Sequence, residues 1–408
     1  MKQLNLVLSL LVLQLNLCAQ SDSTTVKRIP VDTNKLIMNM DAVYNRPLLQ
    51  LGRVPIAIGG YVESNSSYFA TNGQTEGLSF QIPRLTFILS SSIKNRIKFL
   101  TEIEIADGGK NIGVDFAAMD ITLHKLINLR GGIILNPIGS FNQNHDSPKW
   151  EFISRPISST TIIPGVWNNV GFGIYGKIGD NNVVWGYEAC ITNGFDDRII
   201  ANDQSRTWLV SSKQNPDRFT NSFNGIPLLT AKTAIRHRTA GEIGISWMGG
   251  VYNKFEENGL TIDKQRRIDL IAFDFNTTLP KLNTHIEAEW VWVMIDVPST
   301  YTQQFGDAQK GGFIDIIQPI LHKNIFGWQD AILNLNWRTE FSDYNVGTFT
   351  ETGENISDHI IAIIPGISFR PSTQTVIKAN YRYHWQWDLF GNPPSRTAGF
   401  QFGFATYV

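Results

Sequence analysis

Within residues 139–167, GSFNQNHDSPKWEFISRPISSTTIIPGVW, five ionisable side chains of both signs crowd together: His145, Asp146, Lys149, Glu151 and Arg155. An imidazole among carboxylates and cations could serve acid–base catalysis, ion binding or an electrostatic filter. Catalysis needs more than these residues offer. A serine hydrolase would need a nucleophile on a tight turn beside a base. The nearest approach, Gly244-Ile245-Ser246-Trp247-Met248-Gly249, is one residue out of register inside an alternating segment. His285 and Glu287 share one strand face, a spacing that suits a hydrated wall. The seven histidines show no zinc spacing, and no cofactor motif is present. Asp196, Asp197 and Asp203 could hold calcium in the long segment 194–231, though acidic loop residues are normally just solvated. The chain is therefore not expected to be an enzyme, and the charges of 139–167 read as a filter.

A filter has to be held in place. The same segment carries Phe141, Trp150, Phe152, Ile162, Ile163 and Trp167, anchors that an external loop in bulk water does not need. Folded back into a lumen, they would dock on its wall.

The wall itself is written as alternation. Ile377, Ala379, Tyr381, Tyr383, Trp385 and Trp387 interleave with Lys378, Asn380, Arg382, His384, Gln386 and Asp388, which on a period-two strand gives one apolar and one polar face. The pattern recurs at 331–342, 284–295 and 96–106. Sixteen candidate strands are counted between residues 55 and 408. Tight polar joints such as 92–95, 125–128 and 179–182 alternate with long ones such as 138–167, 194–231 and 253–266. Short turns on one rim and long loops on the other, with rings massed at strand ends, predict an all-β fold: a transmembrane antiparallel barrel of about 16 strands with an inward-folded constriction loop at 139–167. A soluble sandwich also alternates, but lacks that asymmetry. Phe400, Phe402 and Phe404 suit a closing strand that leaves no edge open to lipid.

Met1-Lys2 followed by an apolar run to Leu17 and then Cys18-Ala19-Gln20 reads as a signal peptide over 1–19. Residues 20–53 read as a periplasmic extension and 54–408 as the barrel. Without the leader Cys190 stands alone, so no intrachain disulfide can form. Lys+Arg total 35 against Asp+Glu 36, a balance that excludes a strong global pull toward nucleic acid.

Leu135-Asn136-Pro137, Asn142 to Pro148, Arg155-Pro156, Ile162-Ile163-Pro164, Trp167, Gly171-Phe172-Gly173-Ile174 and Tyr187-Glu188 with Ile191 to Phe195 together resemble the phosphate-selective porin O and P-like family as it occurs in Bacteroidota. The resemblance implies a sixteen-stranded porin whose lumen and constriction carry stacked cations. On that reading Arg84, Lys98, Arg130, Arg338, Lys378 and Arg382 line the pore with the five residues of the loop. Glu102, Glu104, Glu188, Glu287, Glu289 and Glu340 share the wall and dilute its basic character. The expected function is a water-filled channel in the bacterial outer membrane, passing small hydrophilic solutes and including anions such as phosphate. The expected partners are outer-membrane lipid, the solutes and two further copies in a homotrimer, with no nucleic acid. The rival readings are a receptor or binding barrel acting through its long loops and, less favoured, a barrel hydrolase.

Overall fold

The protein's structure, a computed structural model, describes residues 26–28, 36–52, 55–204, 206–299, 306–349 and 351–408. The expected leader over 1–19 and much of the 20–53 extension lie outside the described residues.

Among the described residues sixteen strands close an antiparallel barrel: β1 Ile56–Thr71, β2 Gln74–Ile93, β3 Ile97–Ala106, β4 Asn111–His124, β5 Ile127–Leu135, β6 Asn168–Gly179, β7 Val183–Thr192, β8 Leu228–His237, β9 Gly241–Val251, β10 Arg267–Thr278, β11 His285–Ile295, β12 Ala308–Ile325, β13 Trp328–Val346, β14 His359–Ser372, β15 Thr375–Gln386 and β16 Ser395–Tyr407; the short strand Leu49–Leu51 pairs with the start of β1, and Val26–Arg28 pairs with it in turn. The last strand returns to the first, pairing Tyr407 with Tyr61 and Thr397 with Thr71. Every one of the sixteen barrel strands is therefore paired along both edges, the condition for a sheet to cross lipid.

The faces follow the alternation. On β13 Trp337 is 45% exposed and Asn336 only 1%. On β16 Phe400, Phe402 and Phe404 are exposed, while Gln401 and Gly403 between them are buried. An apolar outer face around a closed barrel is the signature of a membrane-spanning strand protein, and it places the chain in the bacterial outer membrane. Arginine at Trp337, midway along β13, is accordingly expected to cost about 2–4 kcal/mol; denaturant titration of the refolded barrel would measure it, and a loss near zero would mean that β13 is turned the other way.

The joint between residues 321 and 330 looks irregular in the sequence because β12 slips register at Pro319/Leu321 and Lys323/Ile325, and each slip interrupts a period-two pattern. In the structure β12 and β13 run past it to a two-residue turn, Phe326-Gly327, with φ of +52° and +83°. It lies on the turn rim like the other short joints. The positive φ at the second position explains why glycine stands there.

Candidate functional site: a lumen filled from both ends

The chain leaves β5 at Leu135 and re-enters β6 at Asn168. Asn142 ties the base of the intervening loop: its amide donates to the carbonyls of Asn136 (2.8 Å) and Trp167 (3.0 Å), and its oxygen accepts the Trp167 N–H (2.7 Å). From there the loop is clamped to distant parts of the wall. Glu289 on β11 accepts the backbone N–H groups of Ser140 (2.7 Å) and Phe141 (3.1 Å) and the Ser159 hydroxyl (2.6 Å). On β15 the Asn380 oxygen accepts the Ile153 N–H (3.1 Å), and the Lys378 ammonium donates to the carbonyls of Ser147 (2.8 Å) and Phe152 (3.1 Å). On β13 Arg338 donates to the Ser154 carbonyl (2.7 Å). A segment bonded to β11, β13 and β15 from a root between β5 and β6 crosses the lumen.

Burial agrees with those bonds. Ile138, Ile162, Ile163 and Trp167 join Phe195, Ile199 and Leu209 of the next long loop and the inward-facing Leu228, Met248, Leu270, Val291 and Val293 in one apolar cluster. Trp167 stacks on Phe195 with centroids 5.0 Å apart. The valines that follow Glu287 and Glu289 on β11 therefore belong to the inner face, where they dock the loop. The long excursion after β7 serves this packing too. It ends at Pro227, since β8 begins at Leu228. Its Asp196 pairs with Arg198 (2.8 Å) and accepts from Ser212 (3.2 Å), and among the described residues Asp196, Asp197 and Asp203 do not come together as a metal-ligating group.

A second insert comes from the other end. The described part of the segment before β1 enters the turn-rim mouth of the barrel, where residues 38–48 bond to the inner wall. Asn39 donates its N–H to both oxygens of Glu242 on β9 (3.2 and 3.1 Å). Across the lumen Tyr44 donates to Asp120 on β4 (2.5 Å). Arg46 reaches Asp146 at the loop tip (2.6 Å) and Glu102 on β3 (2.8 Å), with all three side chains almost fully buried. Lys149 donates to the Ala42 carbonyl (3.0 Å) and pairs with Asp146 (3.3 Å). Burial works against ionisation of Asp146, yet Arg46 and Lys149 hold its carboxyl well below the ordinary range. Burial pulls Lys149 below the usual lysine range. The sequence reading missed this insert. An aromatic and a cation at Tyr44 and Arg46 are its traces, but they lack a period that would place them.

The cations expected to line a basic path are mostly neutralised where they stand. Arg84 meets Glu63 (2.9 Å) and Glu104 (3.4 Å); Arg130 meets Asp120 (2.9 Å) and Glu188 (3.4 Å). Arg338 grips Asp315 with two 2.6 Å bonds and lies over Phe152 (4.3 Å). Arg382 meets Glu340 (2.9 Å), and Glu151 is taken by Arg370 (2.5 Å) and Ser368. Lys98 is exposed, 5.8 Å from the Tyr44 ring. Arg155 contacts the Phe141 ring (5.7 Å) and reaches the His145 carbonyl (3.5 Å). His145 is buried against Glu102. These residues thus lie in the lumen or its loop, most of them as paired charges; Lys98, Arg155 and Lys378 instead meet rings or backbone carbonyls.

A closed sixteen-stranded barrel with an apolar exterior and a long loop clamped across a polar lumen has the architecture of outer-membrane porins. Solved structures bear this out: OmpF of Salmonella typhi in complex with daunomycin (TM-score 0.55, 10% identity, 86% of this chain and 97% of that one), OprB of Pseudomonas putida (0.54, 7%, 87% and 94%) and an anion-selective porin of Comamonas acidovorans (0.53, 11%, 86% and 99%). Identities this low carry the fold alone. No protein-family model matches the chain. An uncharacterised protein of Aquifex aeolicus (strain VF5) is 34% identical over 147 residues, which span 34% of this chain and 32% of that relative.

Proposed function

We propose that this protein is a passive outer-membrane channel for small hydrophilic solutes, narrowed by the loop after β5 and by residues 38–48. The observation that carries the reading is the loop's attachment to β11, β13 and β15: a barrel needs such a crossbar only where something passes or is held. The paired wall charges support weak ion selectivity instead of strong phosphate selectivity, since most of the wall arginines are offset by a carboxylate a few ångströms away, which reduces the net field along the path. The channel is proposed to act without enzymatic chemistry.

Planar-bilayer recording of the purified barrel tests this directly. Stepwise conductance with a reversal potential close to zero in a salt gradient is expected. Lys149→Glu with Arg155→Glu reverses two charges beside the loop and should move the reversal potential toward cation selectivity. The same change at Lys254 and Lys264 in the loop between β9 and β10, which pair with Glu257 of that loop and with Asp296 just after β11, should move it far less. Equal shifts from both pairs would mean that selectivity is set by diffuse surface charge.

The filling of the lumen from both ends favours a second reading, a barrel closed at rest that opens when a ligand displaces one insert. Silence in the bilayer for the intact chain, with conductance after residues 38–48 are removed, would select it.

A further inference from the structure

Three residues that no sequence pattern connects meet where the loop touches β3 and β4. One donor atom each from Glu102, Asp115 and His145 lies within 4.8 Å of the other two. His145 and Glu102 are fully buried and Asp115 half-buried. His145 Nε2 stands 3.7 Å from Glu102 Oε1. His145 Nε2, Glu102 Oε1 and Asp115 Oδ2 are all buried atoms without a hydrogen-bond partner. Leaving three such atoms unmatched is costly, and buried polar groups in this state call for an explanation.

Two details of the fold aim these atoms. The register between β3 and β4 slips between Glu102 and Ile103, which pair with Phe116 and Val114, so Asp115 is the extra residue of a bulge. A bulge re-aims a side chain, here into the cluster. Asn168 holds the bulge from behind, donating to the carbonyls of Val114 (3.0 Å) and Asp115 (2.7 Å). On the loop, His145 Nδ1 lies 3.0 Å from the Asn142 carbonyl. An Nδ1–H donated to that oxygen leaves Nε2 with its lone pair facing the carboxylates, the outer-shell arrangement that fixes a metal-ligating histidine. Arg46 occupies Glu102 Oε2 (2.8 Å), which frees Oε1.

We propose that Glu102, Asp115 and His145 form a binding site for a divalent first-row cation, of the zinc type, that staples the constriction loop to the barrel wall. One imidazole and two carboxylates are suitable donors, and ligands at about 2.0–2.2 Å from an ion stand about 3–4 Å from one another. The His145–Glu102 separation already falls there, and a small rotation of Asp115 completes the set. Asp115, the half-buried member of the three, is the side from which an ion would enter. The two carboxylates balance a dication, while Arg46 continues to pair with Asp146.

The test is calorimetric titration of the full-length folded barrel in detergent with Zn²⁺ after chelator treatment, with heat-modifiable gel mobility as the check that each variant is folded. One ion per chain is expected. His145→Gln and Asp115→Asn should each weaken binding at least about tenfold. His285→Gln, which removes the other wall histidine near a carboxylate (Glu287, 3.9 Å), should leave it unchanged. No stoichiometric binding by the wild-type barrel, or wild-type affinity in either folded ligand variant, would overturn the site and leave His145 as a proton-bearing partner of Glu102.

Discussion

Arg46→Ala should destabilise the folded barrel by about 3–5 kcal/mol, the range for removing one partner from a buried ion pair. The expectation rests on what the substitution leaves behind. Asp146 and Glu102 are fully buried and both bond Arg46. Tyr407 donates to Asp146 (2.6 Å) and Lys149 lies 3.3 Å away, which softens the loss at Asp146. Glu102 keeps only His145 and the like-charged carboxylate of Asp115 beside it. Arg46→Lys should recover a fraction, because an ammonium cannot match the two-pronged contact of Nε and Nη2 with Asp146. Urea unfolding of the detergent-refolded protein measures the change, and tryptic release of the N-terminal segment reports where it is felt. A loss under about 1 kcal/mol, the range of exposed pairs, would show that water reaches this contact. The pH behaviour has a definite sign. Asp146 is held below its ordinary range, so its contribution is complete above that range and disappears only as acid carries the pH below it. The groups facing it are Arg46, Lys149, His145 and Tyr407.

Deleting residues 38–48 should raise unitary conductance several-fold. Conductance follows the narrowest free cross-section, and this segment bonds to β3, β4 and β9 and to the loop tip. It also lines, with Asn144, Lys149, Gln374 and Tyr407, a cavity of about 500 Å³. Without the segment that cavity and the space beyond it become one water-filled mouth. The barrel itself should still close, since the β16–β1 seam does not use these residues. Bilayer recording of the deletion beside the intact chain gives the answer. Equal conductance from both would mean that solutes follow a path the segment does not touch.

Much of this architecture was legible from residue order. Strand number, the inward and outward faces of β13, β15 and β16, and the loop's place in the lumen all follow from local features: alternation sets the faces, turn lengths set the rims, and Trp167 with Ile162 and Ile163 marks a segment that must be buried. The slips in β12 and the bulge at Asp115 were hidden, because a register shift erases the periodicity that would announce it.

Sequence alone therefore determined the quantities that depend on neighbours a few residues apart: period, facing, turn chemistry and the apolar content of the loop. Tertiary structure alone decided which charges meet. Glu102, Asp115 and His145 come from β3, β4 and the loop, and Arg46 joins them from a segment with no period at all. A charge's effect depends on its distance to a partner and the water between them. Those distances exist only once the barrel has closed and its two inserts have entered. A row of arginines that reads as a basic path is for that reason, in the folded chain, largely a set of neutral pairs.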